Sequence, residues 1–80
     1  MNKSIGVIGA GSWGTTLADM LAKKGHRVTL WAYEPELVTE MQAGRENSIY
    51  LPGIRLSANL TFTASLAEAL QGKELLLFVV

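Results

Sequence analysis

Ser4-Ile5-Gly6-Val7-Ile8-Gly9-Ala10-Gly11-Ser12-Trp13-Gly14 is the stretch on which the fold of this chain turns. Ser4 to Ile8 is short, rich in Ile and Val, and runs into a glycine cluster that a strand cannot continue through, which predicts a buried β-strand. Beyond the cluster, Ser12 to Lys24 carries Trp13, Leu17, Met20 and Leu21 at helical spacing. Two lysines and Gly25 mark the C-terminal stop of that helix. Arg27 to Ala32, with Val28, Leu30 and Trp31, then reads as a second strand with those three residues in the core. Strand, helix and strand together have the length of one βαβ unit, about 30 residues.

Gly9, Gly11 and Gly14 therefore form a G-x-G-x-x-G directly after a predicted strand and at the opening of a predicted helix. Each glycine has a chemical reason to be there. Gly9 permits the tight turn, Gly11 lets the backbone approach a pyrophosphate, and Gly14 lets helix and strand pack closely. At the start of the helix the amides of Ser12 and Trp13 have no partner, and the helix dipole adds its attraction for phosphate oxygens. A mononucleotide P-loop requires Gly-x-x-x-x-Gly-Lys-Ser/Thr, and no Lys follows Gly14. A turn that merely joins strand to helix would not need this pattern in this context. The motif thus predicts a dinucleotide, NAD or NADP.

An acidic residue at the end of the second strand usually grips the adenosine ribose and repels a 2′-phosphate. Ala32 stands where that carboxylate is expected. Glu34 can supply it from further out or simply favour the next helix electrostatically, and Tyr33 can stack on adenine, contact the 2′ position or be a half-exposed aromatic. The choice between NAD and NADP stays open on these residues.

Working outward, Pro35 at a first helical position, with Leu37, Val38 and Met41 on one face before Gly44, predicts a short second helix. Arg45 to Asn59 contains Pro52 and Gly53 and sustains no period, so it reads as a structured loop or extended excursion. Leu60 to Thr63 reads as a strand. Ser65 and Glu68 have capping-box spacing for a helix that Gly72 ends, and Leu75 to Val80 is the unbroken apolar run of a parallel strand covered on both faces. The fold class is α/β: a partial Rossmann-type doubly wound parallel sheet in the order β-α-β-α-β-α-β. Ending on its most apolar strand, the chain reads as the first part of such a sheet.

Composition narrows the chemistry. Seven basic and seven acidic residues balance, so there is no basic field for nucleic acid or an anionic membrane. With no cysteine and one histidine, His26, a disulfide framework, a thiolate metal site and a cysteine nucleophile are excluded, and no metal is expected. His26 reads as a surface residue and Asp19 as a solvated one. No acid, base and nucleophile stand close together in the sequence. The glycines make the N-terminal segment a poor signal peptide and no apolar run is long enough to span a bilayer, so the chain reads as cytoplasmic. Only 18 % of residues are charged, a surface that expects more protein against it.

Gly-Ala-Gly-Ser-Trp-Gly-Thr-Thr-Leu-Ala at 9 to 18, Val-Thr-Leu-Trp at 28 to 31, Pro35-Glu36, and Glu46-Asn47 followed by Tyr50-Leu51-Pro52-Gly53 closely resemble the bacterial NAD(P)-dependent glycerol-3-phosphate dehydrogenases. The glycine turn is shared by many dehydrogenases. The Ser-Trp filling and the Asn-x-x-Tyr-Leu-Pro-Gly segment are far more specific, and the latter argues against ketopantoate reductases and 6-phosphogluconate or hydroxyacid dehydrogenases. The resemblance implies hydride transfer between NAD(P)H and dihydroxyacetone phosphate, giving glycerol 3-phosphate for phospholipid synthesis. It implies Ser12, Trp13, Tyr33 and Tyr50 as cofactor contacts beside Gly9, Gly11 and Gly14, and it admits a homodimer. The family often has Arg or His where Tyr33 stands. Its catalytic lysines and helical substrate domain are expected beyond Val80, so residues 1–80 read as the N-terminal part of the cofactor domain. A stand-alone NAD-binding module is the alternative of a different class.

Overall fold

A computed structural model describes residues 2–79. Four strands, β1 (Ser4–Ile8), β2 (Arg27–Trp31), β3 (Leu60–Thr63) and β4 (Leu75–Phe78), alternate with three helices, α1 (Ser12–Lys23), α2 (Pro35–Gly44) and α3 (Leu66–Leu70). The strands form one wholly parallel sheet in the order β3-β2-β1-β4. The register sets Ile5 beside Val28 and Leu75, and Leu30 beside Val7 and Phe62. The chain steps from β1 out to β2 and β3, then returns past both to place β4 on the other side of β1.

Alternation along β1 sends its residues to opposite faces. Ile5 and Val7 are buried in a core shared with Ala18 and Ala22 of α1, Leu37 and Met41 of α2, and Val28, Leu30 and Leu60 of the sheet. Gly6 points the other way, where a Cβ would lie 2.5 Å from the carbonyl oxygen of Ala69, so α3 can sit against β1 only because residue 6 has no side chain. Ser65 caps α3, its Oγ accepting from the Glu68 amide at 3.2 Å. The reciprocal half of the expected capping box is taken by Thr63, whose Oγ1 accepts from the Ser65 amide at 2.9 Å.

Two sequence expectations need correction. The buried face of α1 is not the one carrying Trp13 and Met20, which lie 78 % and 50 % exposed; it is Gly14, Thr15, Ala18, Asp19 and Ala22. Small side chains let the helix axis come close to the sheet, and closeness outweighs the larger apolar area of the opposite face. Asp19 is not solvated. It is buried, accepts from the Ser57 amide at 2.8 Å and pairs with Lys23 Nζ at 2.7 Å, tying α1 to the segment before β3. β4 pairs only with β1 among the described residues, and Leu75, Leu76 and Phe78 are exposed, so the apolar run that reads as a strand covered by further structure lies uncovered within these residues. Val80, the last residue of the expected strand, lies outside the described residues.

Arg45 to Asn59 is a structured excursion, as its composition suggested. Arg45 ends α2 in the left-handed region at φ 54° and donates from Nη2 to the carbonyls of Ser57 and Leu60, its guanidinium 4.9 Å from the Phe62 ring centre. Asn47 and Leu51 form an isolated antiparallel bridge, and Leu56 is buried.

Candidate dinucleotide site at the carboxyl end of the sheet

The glycine turn lies at the carboxyl end of β1, between the ends of its two neighbours. The Gly9 amide donates to Trp31 O at 3.1 Å and the Val79 amide to Ile8 O at 2.9 Å, so the strand ends are knitted together there. β1 is also where the chain's path across the sheet reverses, and in open parallel sheets the crevice outside such a reversal is the ordinary ligand position.

The three glycines serve three different needs. Gly9 has φ +124°, and a Cβ there would lie 2.3 Å from Val79 O. A Cβ on Gly14 would lie 1.7 Å from Gly9 O, so helix and turn approach closer than any side chain permits. Gly11 is different: its φ of −72° suits any residue, and a Cβ would meet nothing within 4 Å. The protein's own packing does not call for glycine at this position. A ligand brought against the backbone would.

Donors are available at the same place. The helical bonds of α1 begin with the Thr15 amide giving to Gly11 O at 2.9 Å, which leaves the preceding amides of the first turn at the open end. No side chain caps this end, and no acidic residue stands in the first turn to compete for an anion. The open amides, the dipole of a 12-residue helix and the space over Gly11 together fit a pyrophosphate.

The other expected contacts surround the turn unevenly. Ser12 Oγ donates to the Tyr50 carbonyl, which ties the excursion to the first residue of α1. Trp13 projects outward between two shallow depressions of about 230 and 250 Å³, the second lined by Thr16, Leu17, Met20 and Val79 and almost wholly apolar. Tyr50 is partly exposed. Tyr33, just past β2, is 79 % exposed and lies edge-on to Trp31 with ring centres 6.3 Å apart. Trp31 is only half buried, anchored by Nε1 donating to Ala64 O at 3.1 Å.

Ala32 does not stand where a ribose-binding carboxylate could. It is 1 % exposed and its amide continues the β2–β3 pairing to Thr63 O at 3.0 Å. The side chain free to meet a ribose is that of Tyr33, with Glu34 half buried behind it. His26 is half buried, its Nδ1 accepting from the Lys3 amide at 3.1 Å, remote from the glycine turn at the opposite end of β1 and β2.

Sequence reasoning marked Asn47 and Thr15 only as parts of the stretches that resemble a known family, and anticipated the burial of neither. Both are fully buried, and Asn47 Nδ2 reaches Ala10 O at 2.9 Å and Thr15 Oγ1 at 2.8 Å. The available signal was an Asn in a loop beside a Tyr three residues on, which turn propensity alone does not separate from a solvent-facing Asn.

The comparisons with known proteins agree with this geometry. The family described as NAD-dependent glycerol-3-phosphate dehydrogenase N-terminus matches residues 4–80. A glycerol-3-phosphate dehydrogenase [NAD(P)+] of Citrifermentans bemidjiense is 68 % identical over the whole chain, which covers 24 % of that relative; one of Lactiplantibacillus plantarum is 45 % identical over the same share. Among solved structures, a glycerol-3-phosphate dehydrogenase of Coxiella burnetii superposes on 99 % of the chain with a TM-score of 0.91 at 44 % identity, the chain covering 24 % of it. The yeast glycerol-3-phosphate dehydrogenase does so over 100 % with a TM-score of 0.90 at 30 % identity, the chain covering 26 % of it. The chain thus spans about a quarter of the length of the relatives it matches. With its strand order, its glycine turn and its whole length accounted for, the chain belongs to the NAD-dependent glycerol-3-phosphate dehydrogenase N-terminal family.

Proposed function

We propose that this chain is the cofactor-binding part of an oxidoreductase acting on dihydroxyacetone phosphate and glycerol 3-phosphate, and that Gly9, Gly11, Ser12, Trp13, Gly14, Tyr33 and Tyr50 form its side of the NAD(P) site. The observation that carries the reading is Gly11, a glycine that the protein's packing does not need, beside unpaired helix amides. Bound there, the cofactor supplies the hydride for reversible reduction of the dihydroxyacetone phosphate carbonyl. The chain's own work is binding and orientation. Amides of Gly11, Ser12 and Trp13 receive the pyrophosphate, Gly9 and Gly14 bring strand and helix close enough to aim them, and Tyr33 borders the adenosine ribose.

Residues 1–80 are then the N-terminal portion of the cofactor domain. The remainder of that domain, the groups that hold and polarise the substrate, and a helical substrate domain belong to the other three quarters of a full-length enzyme. The exposed Leu75, Leu76 and Phe78 of β4 support this division, because an apolar parallel strand is normally covered. The proposed enzyme is cytoplasmic and acts on small molecules, and its balanced charge offers no basic field to a nucleic acid or an anionic membrane. Among the described residues no helix is long and apolar enough to cross a membrane.

The test is oxidation of NADH and of NADPH by the full-length protein with dihydroxyacetone phosphate, followed by the absorbance of the reduced nicotinamide. Oxidation dependent on dihydroxyacetone phosphate is expected. No oxidation with it, together with turnover of ketopantoate or another oxoacid, would reassign the substrate.

A further inference from the structure

Asn47 is fully buried in the excursion after α2, yet its amide is spent on the glycine turn. Nδ2 donates to Ala10 O at 2.9 Å and to Thr15 Oγ1 at 2.8 Å, and Oδ1 accepts from the Tyr50 amide at 3.1 Å. Thr15 Oγ1 in turn donates to Ala10 O at 3.2 Å. The Ala10 carbonyl is therefore drawn into the interior by two side-chain donors, one from α1 and one from a segment more than thirty residues away.

That orientation has a consequence on the far side of the same peptide. No cis peptide is present among the described residues, and in a planar trans peptide the C=O and the following N–H point in opposite directions. Drawing Ala10 O inward turns the Gly11 N–H outward, over the open side where a Cβ on residue 11 would meet nothing. Asn47 also holds the Tyr50 amide, and the Tyr50 carbonyl receives Ser12 Oγ. One buried side chain thus sets both the plane of the Ala10–Gly11 peptide and the stretch of excursion beside it.

We infer that Asn47, assisted by Thr15, is a positioning residue for the pyrophosphate: it aims the Gly11 N–H at the phosphate and locks the excursion beside Ser12. The inference rests on the reading of the turn as the dinucleotide site. It differs from a role in holding the excursion together, because peptide orientation acts on the pyrophosphate and not on the adenosine. Asn47→Asp keeps the size but removes the donor. A carboxylate there draws the Thr15 hydroxyl to itself, and Ala10 O loses both of its side-chain donors. Thr15→Val removes one donor with little change of shape.

The experiment measures binding of ADP-ribose, which contains the pyrophosphate, and of adenosine, which does not, by competition against NADPH on the full-length protein. Asn47→Asp is expected to weaken ADP-ribose by about tenfold, the effect of one well-made hydrogen bond, with adenosine changed less than about twofold. Thr15→Val is expected to act in the same direction and decides the matter if Asn47→Asp does not fold. Equal losses for both ligands, or no loss for either, would overturn the inference. A Gly11→Val protein run alongside separates the two levels: if it binds ADP-ribose like the parent, the turn is not the phosphate site and the role of Asn47 falls with it. If Gly11→Val abolishes binding while Asn47→Asp and Thr15→Val bind like the parent, only the role of Asn47 falls.

Discussion

Gly14 and Gly11 belong to the same motif but answer to different constraints, and substituting each in turn separates fold from function. A Cβ on Gly14 would lie 1.7 Å from Gly9 O and 2.8 Å from the Gly9 carbonyl carbon, both backbone atoms that cannot swing aside. Side-chain carbons essentially never come within 3.0 Å of such atoms, so in Gly14→Ala the start of α1 must retreat from the turn by about 1.3 Å, lifting Ala18 and Ala22 from the core. Overpacking on this scale costs about 3 kcal/mol, and the helix preference of Ala over Gly returns about 1 kcal/mol, leaving a loss of about 2 kcal/mol. Gly11→Val meets open space at an ordinary φ, so its stability should stay within about 1 kcal/mol of the parent. On the proposed function, its side chain fills the room a pyrophosphate would take. The assay is urea unfolding of the full-length protein with and without NADPH. The parent should gain about 2.7 kcal/mol when the cofactor is a hundredfold above its Kd. Gly14→Ala should be weakened before any cofactor is added, whereas Gly11→Val should unfold like the parent and gain nothing from NADPH. A Gly14→Ala protein as stable as the parent, or a Gly11→Val protein stabilised equally by NADPH, would refute the reasoning.

Tyr33→Arg should move the ratio of kcat/KM for NADPH over NADH upward by about tenfold, because the exposed side chain at the end of β2 would then pair with a 2′-phosphate; an unchanged ratio would place the selecting group elsewhere, with Glu34 next. Asp19→Ala strips the Ser57 amide of its acceptor and Lys23 of its partner, and chemical denaturation should record a loss of about 1–3 kcal/mol. Residues 1–80 expressed alone should neither reduce dihydroxyacetone phosphate nor unfold as a stable cooperative monomer, since β4 then presents Leu75, Leu76 and Phe78 to solvent. A soluble, cooperative and active fragment would contradict both halves of that expectation.

The alternation of elements was legible because each carries its own local signal: Ile and Val before the glycines, Pro35 at a helix start, Ser65 three residues before Glu68. The glycine turn was legible for the same reason, its spacing being a local record of backbone geometry. What stayed hidden depends on closeness between distant segments. The inner face of α1 is made of Gly14, Ala18 and Ala22, whose small apolar area gives a weak hydrophobic pattern, while Trp13 and Met20 supply a strong one on the outside. Asp19, Thr15 and Asn47 look like surface residues in a string of letters. They are buried because partners, most of them from other segments, satisfy the polar atoms they bring inside, and no periodicity announces such partners. Ala32, which follows β2 in the same alternation as the buried Val28 and Leu30, faces the core, a placement that depends on the pleat and not on the residue type.

A structure of the full-length protein with NADPH bound tests the central claim most directly. The pyrophosphate oxygens should lie within hydrogen-bonding distance of the amides of Gly11, Ser12 and Trp13, with the adenosine ribose beside Tyr33 and Ala10 O still turned inward to Asn47. A dinucleotide bound with its pyrophosphate away from the glycine turn would contradict the account.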